Sequence, residues 1–370
     1  MKLTKKPFDF WIFITVIILL SLGTIMVFSS SAAYAYNFMQ GDTYYFLKKQ
    51  LIVLPIAFIA MFFTMNYDYK KLGKLSPIIL VAAIVLLILV IIPGIGSIRN
   101  GARRWIDLKV TDFQPSEFAK IAVIIFFSFS LSKRKDQLQS FFKGLLPYMI
   151  LLGVIAGLLL LEPHKSGTIV IVLVSSIILF AAGAKISHFF IMGVPAVAAF
   201  SVLIAIDEYS RDRIMSFMDP FKYLKGEGWQ AVQSLYAIGS GGLFGRGLGK
   251  SLQKFLYIPE PYNDFILSVL AEELGFIGVL TVIILFLIFI WRGIKVSINA
   301  PDVFGSLMAV GITSLIAVQA LLNIAVVTSS VPPTGMPLPF FSYGGTSLVF
   351  LMSGVGILLN ISRYANYERI

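Results

Sequence analysis

The sequence predicts an all-α, polytopic integral membrane protein of about ten transmembrane helices, and three observations lead to this fold class. The 370 residues are 58% hydrophobic and 13% charged, whereas soluble domains hold roughly 45–50% apolar and 25% charged residues. Apolar runs of ~20 residues, enough to cross a ~30 Å hydrocarbon core, recur along the chain. These runs are continuous, so they predict helices and exclude the short alternating strands of a membrane barrel.

Ten predicted spans account for most of the chain. They lie near residues 10–29, 45–65, 75–92, 114–131, 144–161, 167–183, 189–206, 265–290, 304–328 and 346–361. No insert between them is long enough for a soluble domain, so residues 1–370 are expected to form a single transmembrane domain. The first span imitates a signal peptide, because lysines precede it and Ala33-Tyr34-Ala35 follows it. Its apolar stretch is longer than a usual signal core, which favours a retained helix.

The charges of the connections predict the orientation. The connections that follow every second span, and the C-terminal tail, are basic: Lys70, Lys71 and Lys74; Lys133, Arg134 and Lys135; Lys185; Arg292 and Lys295; Arg363 and Arg369. Such connections remain in the cytoplasm, so both termini are expected there. The opposite, extracytoplasmic side then holds loops near 93–113, 207–264 and 329–345, of which the first two are long.

The two long external loops are also basic, in a protein of net charge +11. The first contains Arg99, Arg103, Arg104 and Lys109, and the second contains Arg211, Arg213, Lys222, Lys225, Arg246, Lys250 and Lys254. One interpretation is contact with anionic lipid headgroups. The other is a phosphate-bearing substrate such as a lipid-linked diphosphate, because arginine binds phosphate with a bidentate fork and lysine adds a compact counter-charge. Nucleic acid is not an expected partner.

A glycine-rich segment, residues 237–250, occupies the second long loop. Its six glycines allow the backbone to approach a ligand closely, and a flexible or re-entrant connection fits equally well. A nucleotide-binding P-loop is excluded, because Phe244 stands where that motif requires its first glycine. The absence of cysteine excludes disulfides, thiolate nucleophiles and cysteine-ligated metals.

Acidic residues cluster at the start of the eighth predicted span. Asp264 lies at the mouth of this span, and a carboxylate at the edge of the hydrocarbon is a functional candidate. It could alternatively cap the helix. Glu272 and Glu273 follow two turns deeper, where two adjacent acids cannot both face lipid. A structural hydrogen bond to a neighbouring helix is favoured for both.

Two further segments could contribute to an external site. Glu117 and Lys120 stand three residues apart at the start of the fourth span, so they can form a pair that is either structural or orients a substrate. Residues 332–346 are too rich in proline and glycine for a helix. Irregular backbone at membrane depth is tolerated only against protein or a water-filled cavity, so this loop is expected to line the external cavity. His164 and His188 have no second histidine nearby, so metal binding by histidine is not expected.

Several motifs, in their order along the chain, resemble the SEDS family (shape, elongation, division and sporulation: FtsW, RodA and SpoVE). The motifs are Gly101-Ala102-Arg103-Arg104-Trp105, Gln114-Pro115-Ser116-Glu117, residues 237–254, Tyr257-Ile258-Pro259-Glu260-Pro261, Asp264-Phe265, Ala271-Glu272-Glu273-Leu274-Gly275 and Pro339-Phe340-Phe341-Ser342-Tyr343-Gly344-Gly345-Thr346-Ser347-Leu348. Residues 161–164 and 251–255 are more similar to the FtsW and SpoVE branch than to RodA. Two departures are Tyr262-Asn263, where many relatives have His-Thr, and Lys165 at a usually apolar position.

The resemblance implies a peptidoglycan glycosyltransferase of the bacterial cytoplasmic membrane. Such an enzyme polymerises lipid II, an undecaprenyl-diphosphate-linked disaccharide-peptide, at the outer face of the membrane during cell division or sporulation, together with a class B penicillin-binding protein. Asp264 falls on the family's proposed catalytic aspartate and would act as the general base. The other implied substrate-binding residues are Arg103, Arg104, Arg246 and Lys254 as diphosphate clamps, Glu117 and Lys120 as orienting groups, and Ser342.

The cofactor and two competing functions stay open from the sequence. A divalent cation such as Mg²⁺ or Mn²⁺ could bridge Asp264 and the diphosphate, but no carboxylate cluster specifies one. The competing functions are a flippase that transports lipid II without forming a bond and a non-catalytic scaffold for the division machinery. A flippase needs an energy coupling, and the sequence has no chain of intramembrane acids that spans the bilayer.

Overall fold

Ten long helices, two short helices and a small sheet make up the described part of the chain. The computed structural model describes residues 6–99, 101–107, 112–206, 208–223 and 228–367. Its elements are α1 (Phe10–Phe38), α2 (Tyr45–Asn66), α3 (Tyr69–Ile91), β1 (Gly96–Arg99), β2 (Ala102–Asp107), β3 (Asp112–Phe113), α4 (Pro115–Lys133), a 3₁₀ turn (Lys135–Gln139), a π-helical turn (Phe141–Leu145), α5 (Leu146–Leu161), α6 (Lys165–Ala181), α7 (Ile186–Ile206), α8 (Glu208–Met218), α9 (Gly228–Gly241), α10 (Ile266–Ile298), α11 (Val303–Val327) and α12 (Gly345–Ser362).

The polytopic helical fold is confirmed, because each predicted span corresponds to one of the helices α1–α7 and α10–α12. Among the described residues, eight helices are long and apolar enough to cross a membrane. Helix α6 is shorter, at 17 residues, and α7 has 21. Several predicted ends were wrong: α1 continues to Phe38 instead of ending near 29, and α10 continues to Ile298 instead of 290. Helical geometry continues beyond the apolar run at these ends.

The two long external loops contain regular structure that the sequence analysis did not predict. The first contains a three-stranded antiparallel sheet in the order β1-β2-β3. Arg99 pairs with Ala102 across the turn between β1 and β2, and Ile106 pairs with Phe113 between β2 and β3. The second loop contains α8 and α9. Both segments are short and polar compared with the spans, so hydropathy alone does not reveal them.

Helices α2 and α12 approach each other closely at Gly356. A Cβ built on Gly356 would lie 2.2 Å from the carbonyl oxygen of Met61 and 2.0 Å from Oγ1 of Thr64, so a larger residue does not fit. The Thr64 hydroxyl also donates to the carbonyl oxygen of Ser353 at 2.9 Å. Small residues at the crossing therefore bring two helix backbones together, as is common inside membranes.

The two ends of the chain meet at one end of the bundle. The amide of Lys6 donates to the carbonyl oxygen of Arg363 at 3.0 Å. Asp9 accepts from the amide of Ile12 and thereby caps α1. The same buried carboxylate pairs with Arg292 at the end of α10, with a shortest N–O distance of 2.5 Å. The described ends of the chain thus lie on one side, as an even number of spans requires.

Candidate active site

A cavity of about 320 Å³ lies at the N-terminal end of α10. Three separate segments bound it: the start of α9, the connection that precedes α10 and the last loop before α12. Its lining residues are Gln230, Pro259, Glu260, Asp264, Phe265, Pro333 and Gly335. Asp264 is half-buried in this cavity. A carboxylate in such a position is shielded by protein and can still reach a ligand.

The backbone of Asp264 is held by a residue that the sequence analysis missed, Asn323 of α11. Its side-chain amide is fully buried and donates to the carbonyl oxygens of Asp264 and Met336, each at 2.7 Å. One side chain therefore links the connection before α10 to the last loop, across the cavity wall. The sequence did contain a signal for Asn323, since it is a polar amide within the apolar run of α11. Polar side chains within spans commonly form hydrogen bonds to neighbouring segments.

Ser342 holds the same connection from the last loop. Its hydroxyl donates to the carbonyl oxygen of Asn263 at 2.7 Å and accepts from the amide of Leu338 at 2.9 Å. The amide of Tyr343 donates to the carbonyl oxygen of Tyr262 at 3.0 Å. Ser342, predicted from the resemblance as a substrate-binding residue, thus contacts the backbone next to Asp264, and the last loop packs against the connection before α10.

The cavity contains a second carboxylate, that of Glu260. Asn263 donates to its Oε2 at 2.9 Å, and the backbone of Glu260 has a positive φ of 46°. Such a conformation costs free energy in a residue other than glycine and is concentrated at functional sites. Across the cavity, Gly335 has a φ of 70°, and a Cβ on it would lie 3.4 Å from Oδ2 of Asp264. A side chain at this position would contact the aspartate, and the positive φ would strain any residue other than glycine.

Asp264 does not occupy the capping position of α10. That position belongs to Phe265, whose side chain makes no capping hydrogen bond, and the helix begins at Ile266. Asp264 therefore lies one residue before the capping position.

Helix α10 is interrupted at Gly275, which has φ 68° and ψ −167°. The carbonyl oxygens of Glu272 and Glu273 accept from the amides of Arg246 and Gly247, at 2.9 and 3.0 Å. Two amides beyond the kink are bonded by the same loop: Phe276 donates to the carbonyl oxygen of Gly242 at 2.9 Å, and Ile277 to that of Leu243 at 3.2 Å. The loop after α9 thus replaces the helix's own hydrogen bonds at the break.

The side chains of Glu272 and Glu273 fasten the glycine-rich loop further. Both residues are fully buried. The Glu272 carboxylate accepts from the hydroxyl of Ser251 at 2.5 Å and from the amide of Leu252 at 3.0 Å. The Glu273 carboxylate accepts from the amide of Gly249 at 2.9 Å and from the hydroxyl of Ser29 in α1 at 2.7 Å. The expected structural hydrogen bonds are present, although most partners belong to a loop and not to a helix.

Arg246 and Lys254 each pair with one of these acids. The Arg246 guanidinium lies 3.1 Å from Glu272, and its side chain is 39% exposed. The Lys254 ammonium lies 2.9 Å from Glu273 and is 6% exposed, and it also donates to the carbonyl oxygen of Gly249 at 2.7 Å. These two of the four predicted diphosphate clamps therefore neutralise internal carboxylates, and within the described residues neither belongs to the lining of the Asp264 cavity.

Glu117 and Lys120 form the predicted pair, which is deeply buried. The Lys120 ammonium lies 2.7 Å from Oε1 of Glu117, and the two side chains are 3% and 6% exposed. The other carboxylate oxygen accepts from the hydroxyl of Ser347 in α12 at 3.0 Å. The pair therefore joins the starts of α4 and α12, directly below the last loop.

Arg103 and Arg104 lie on β2, and Arg104 contacts the turn between α5 and α6. Its guanidinium donates to the carbonyl oxygen of Glu162 at 3.2 Å and to that of Pro163. The carboxylate oxygens of Glu162 accept no hydrogen bond from the described residues. Burial raises the pKa of Glu162 to about 8, and the charge of Arg104 opposes this rise. Burial also lowers the pKa of His164 to about 3, so its imidazole stays neutral.

The described residues contain no group of three or more histidine, aspartate or glutamate side chains that could hold a metal ion. Glu260 and Asp264 are the acids that line the cavity, and two protein carboxylates leave most of the ligands of a divalent cation to the substrate or water. The described residues around this cavity therefore do not supply a complete set of metal ligands by themselves.

A larger cavity of about 510 Å³ lies on α7 and has a different character. Its lining is apolar, consisting of Phe189, Phe190, Gly193, Val194 and Ala198. Its described lining offers no group for proton transfer or charge stabilisation. The smaller cavity with Asp264 is therefore the better candidate for chemistry.

Comparison with known proteins places this geometry in a family. Residues 10–367 match the family of FtsW, RodA and SpoVE, described as "Cell cycle protein". The chain is 44% identical to "Stage V sporulation protein E" of Bacillus subtilis (strain 168), over 98% of this chain and 100% of that protein. It is 42% identical to "Probable peptidoglycan glycosyltransferase FtsW" of Trichlorobacter lovleyi, over 98% of this chain and 96% of that protein.

Solved structures share the fold over nearly the whole chain. One, described as "Structural coordination of polymerization and crosslinking by a peptidoglycan synthase complex", has a TM-score of 0.80 at 26% identity and covers 96% of this chain and 98% of that chain. The rod shape determining protein RodA of Thermus thermophilus has a TM-score of 0.72 at 26% identity, with 96% and 97% coverage.

Proposed function

The chain belongs to the family of FtsW, RodA and SpoVE, and on that premise we propose that it is a peptidoglycan glycosyltransferase that polymerises lipid II. Relatives that match nearly all of this chain carry the name of that activity. The single observation that supports a particular site for this activity is the position of Asp264, which is half-buried in a polar cavity at the N-terminal end of α10.

Asp264 is the proposed general base. In the reaction, the 4-hydroxyl of an acceptor sugar attacks C1 of a donor sugar, the new glycosidic bond forms, and the bond from C1 to the lipid diphosphate breaks. The attacking hydroxyl must lose its proton, and a positioned carboxylate accepts it. Asn323 and Ser342 hold the backbone on either side of this carboxylate, at 2.7 Å each. They would therefore keep the base in place without touching the reacting atoms.

The departing diphosphate requires positive charge. Arg246 is the best candidate among the predicted clamps, because 39% of its side chain is exposed while it pairs with Glu272. Lys254 is buried against Glu273, so its main role would be to hold the loop that presents Arg246. Arg103 and Arg104 of the β2 strand would supply further charge at the external surface.

Glu117 and Lys120 are proposed as orienting groups. Their buried pair contacts Ser347 at the start of α12, and α12 follows the last loop directly. They would act by fixing the start of α12 beneath the cavity, and thereby the position of the loop that carries Gly335 and Ser342.

The membrane side and the partner are also proposals. Both chain ends lie on one side, and the basic short connections favour the cytoplasm for that side. The cavity would then face the outside of the bacterial cytoplasmic membrane, where lipid II is consumed. A similar solved structure is described as part of a peptidoglycan synthase complex, which supports a class B penicillin-binding protein as the partner.

Polymerisation by the purified protein tests the function. Wild type, Asp264→Asn and Asp42→Asn are reconstituted in liposomes with lipid II and the cognate transpeptidase, and glycan strands are separated by length. Asp42 is a partly exposed acid paired with Lys48, so it serves as a matched control. Polymer is expected from wild type and Asp42→Asn only. Equal polymer from Asp264→Asn would refute the general base, and lipid II transport without polymer would favour a flippase.

A further inference from the structure

The glycine-rich loop ends α9 in an exposed apolar tip. Leu243 and Phe244 follow Gly241 and Gly242, and they are 63% and 79% exposed. Large apolar side chains of this exposure are unfavourable in water, because each would leave its apolar surface hydrated. The proposed reaction does not use them. Their position relative to α10 indicates what surrounds them.

The depth of the tip follows from its backbone hydrogen bonds. Phe276 and Ile277 of α10 donate to the carbonyl oxygens of Gly242 and Leu243, so the tip lies at the level of these two residues. The side chains of Phe276 and Ile277 are themselves 57% and 49% exposed. They begin the exposed apolar face that α10 presents along its length to Ile298.

That face also shows where the membrane boundaries lie. Trp291 is 60% exposed and is followed by Arg292 and Lys295, a combination typical of a membrane interface. The rise from Trp291 to Phe276 is about 22 Å for fifteen residues of helix. The hydrocarbon core is ~30 Å thick, so Phe276 and Ile277 lie inside it, several ångströms below the far boundary.

We propose that residues 242–244 form a re-entrant tip that inserts Leu243 and Phe244 among the acyl chains of the leaflet on the cavity side. The exchange of hydrogen bonds around Gly275 explains how irregular backbone survives at that depth, because the amides of Phe276 and Ile277 and the carbonyl oxygens of Glu272 and Glu273 all find partners in the loop. Two residues after Phe244, the amide of Arg246 bonds Glu272, which lies about one helical turn closer to the membrane surface than Phe276. The Arg246–Glu272 pair thus stands at the membrane boundary.

Phospholipid is the occupant that this geometry favours, because the tip continues the lipid-facing surface of α10 at the same depth. Close packing supports a fixed position: a Cβ on Gly245 would lie 2.1 Å from the carbonyl oxygen of Glu273, and one on Gly241 would lie 1.9 Å from that of Ala271. The backbone of the tip is therefore pressed against α10 and is not free to swing into water.

Site-directed spin labelling tests the insertion directly, since the chain contains no cysteine. Full-length Phe244→Cys is labelled in phospholipid vesicles, and its collision rates with oxygen, which partitions into lipid, and with a water-soluble nickel complex are compared. Ile277→Cys is the lipid-facing standard of equal depth, and Lys250→Cys is the aqueous control. Leu243→Cys provides a second tip position in case one variant does not fold.

The expected ratio of oxygen to nickel collisions at both tip positions equals that at Ile277 and is several-fold above that at Lys250. A ratio equal to that at Lys250 would place the tip in water and overturn the proposal. Low rates with both reagents would also overturn it, because they would indicate that a second copy or another protein covers the tip. The measurement needs no enzymatic activity, so it is independent of the proposed function.

Discussion

Asp264 depends on its neighbours for its position more than on its place in a helix. Its peptide carbonyl accepts from Asn323, and that of the preceding residue accepts from Ser342. Helix α10 begins only at Ile266, so the aspartate belongs to a connection that two other elements hold in place. Residues that touch no substrate in the proposed reaction can therefore control it.

Asn323→Ala is expected to reduce the polymerisation rate strongly and stability moderately. The substitution leaves the carbonyl oxygens of Asp264 and Met336 without their buried donor, which costs about 1–3 kcal/mol of unfolding free energy for each unsatisfied group. The rate falls because the base is no longer held against the last loop. Initial rates and unfolding temperatures in detergent measure both effects.

Leu321→Ala is the control for Asn323→Ala, because Leu321 lies on the same helix and is 63% exposed. It should change neither quantity appreciably. A normal rate in Asn323→Ala despite a lowered unfolding temperature would show that the amide has a structural role only.

Glu162 gives the protein a pH-dependent stability. The unfolded chain releases this proton near the ordinary pKa of 4.5 and the folded chain near 8, so the folded state binds more protons between these values. Stability is therefore expected to fall as pH rises from about 4.5 to 8, and to level off above, by on the order of 5 kcal/mol. Glu162→Gln removes this dependence, so its advantage over wild type should grow with pH. Unfolding temperatures at pH 5, 7 and 9 measure it, and a constant difference would contradict the assigned pKa.

At the scale of elements, α10 and the glycine-rich loop form one unit. The kink at Gly275 opens two backbone carbonyls and two amides, and the loop occupies all four. The carboxylates of Glu272 and Glu273 also bind the loop, by accepting hydrogen bonds from Ser251 and Gly249. Because Asp264 is the link from this loop into α10, the unit determines where the cavity can form.

The buried pair of Lys254 and Glu273 is expected to show strong coupling. Lys254→Met leaves an uncompensated carboxylate, and breaking a buried pair in this way costs ~3–5 kcal/mol. The double variant Lys254→Met/Glu273→Gln removes both charges, so it should be more stable than Lys254→Met alone. Unfolding temperatures of the single and double variants provide the comparison. If the stability lost in the double variant equalled the sum of the losses in Lys254→Met and Glu273→Gln, the two residues would not act as a pair.

At the scale of the whole molecule, the spans were predictable and the site was only partly so. Each span is an apolar run whose length is dictated by the bilayer, so local hydropathy locates it. The kink at Gly275 was not predictable, because residues 271–274 have good helix formers and the break depends on partners from the loop. The strands β1–β3 are too short and polar for hydropathy to locate them.

Only part of the cavity lining could be predicted from the sequence. Asp264 was found through a family resemblance and its cost at a membrane edge. Gln230, Glu260 and Gly335 line the same space but come from segments that local patterns treat as unrelated. The pairing of Arg246 and Lys254 with Glu272 and Glu273 was equally hidden, because each cation was considered only as a clamp for an external anion.

The central claim is that Asp264 takes part in bond formation and is not merely required for binding. The most direct measurement determines, on the same purified samples, the affinity for lipid II and the single-turnover rate of glycan bond formation for wild type and Asp264→Asn. The account predicts an affinity within a few-fold of wild type and a rate lower by on the order of 100-fold or more. An unchanged rate, or a loss that lies entirely in the affinity, would contradict it.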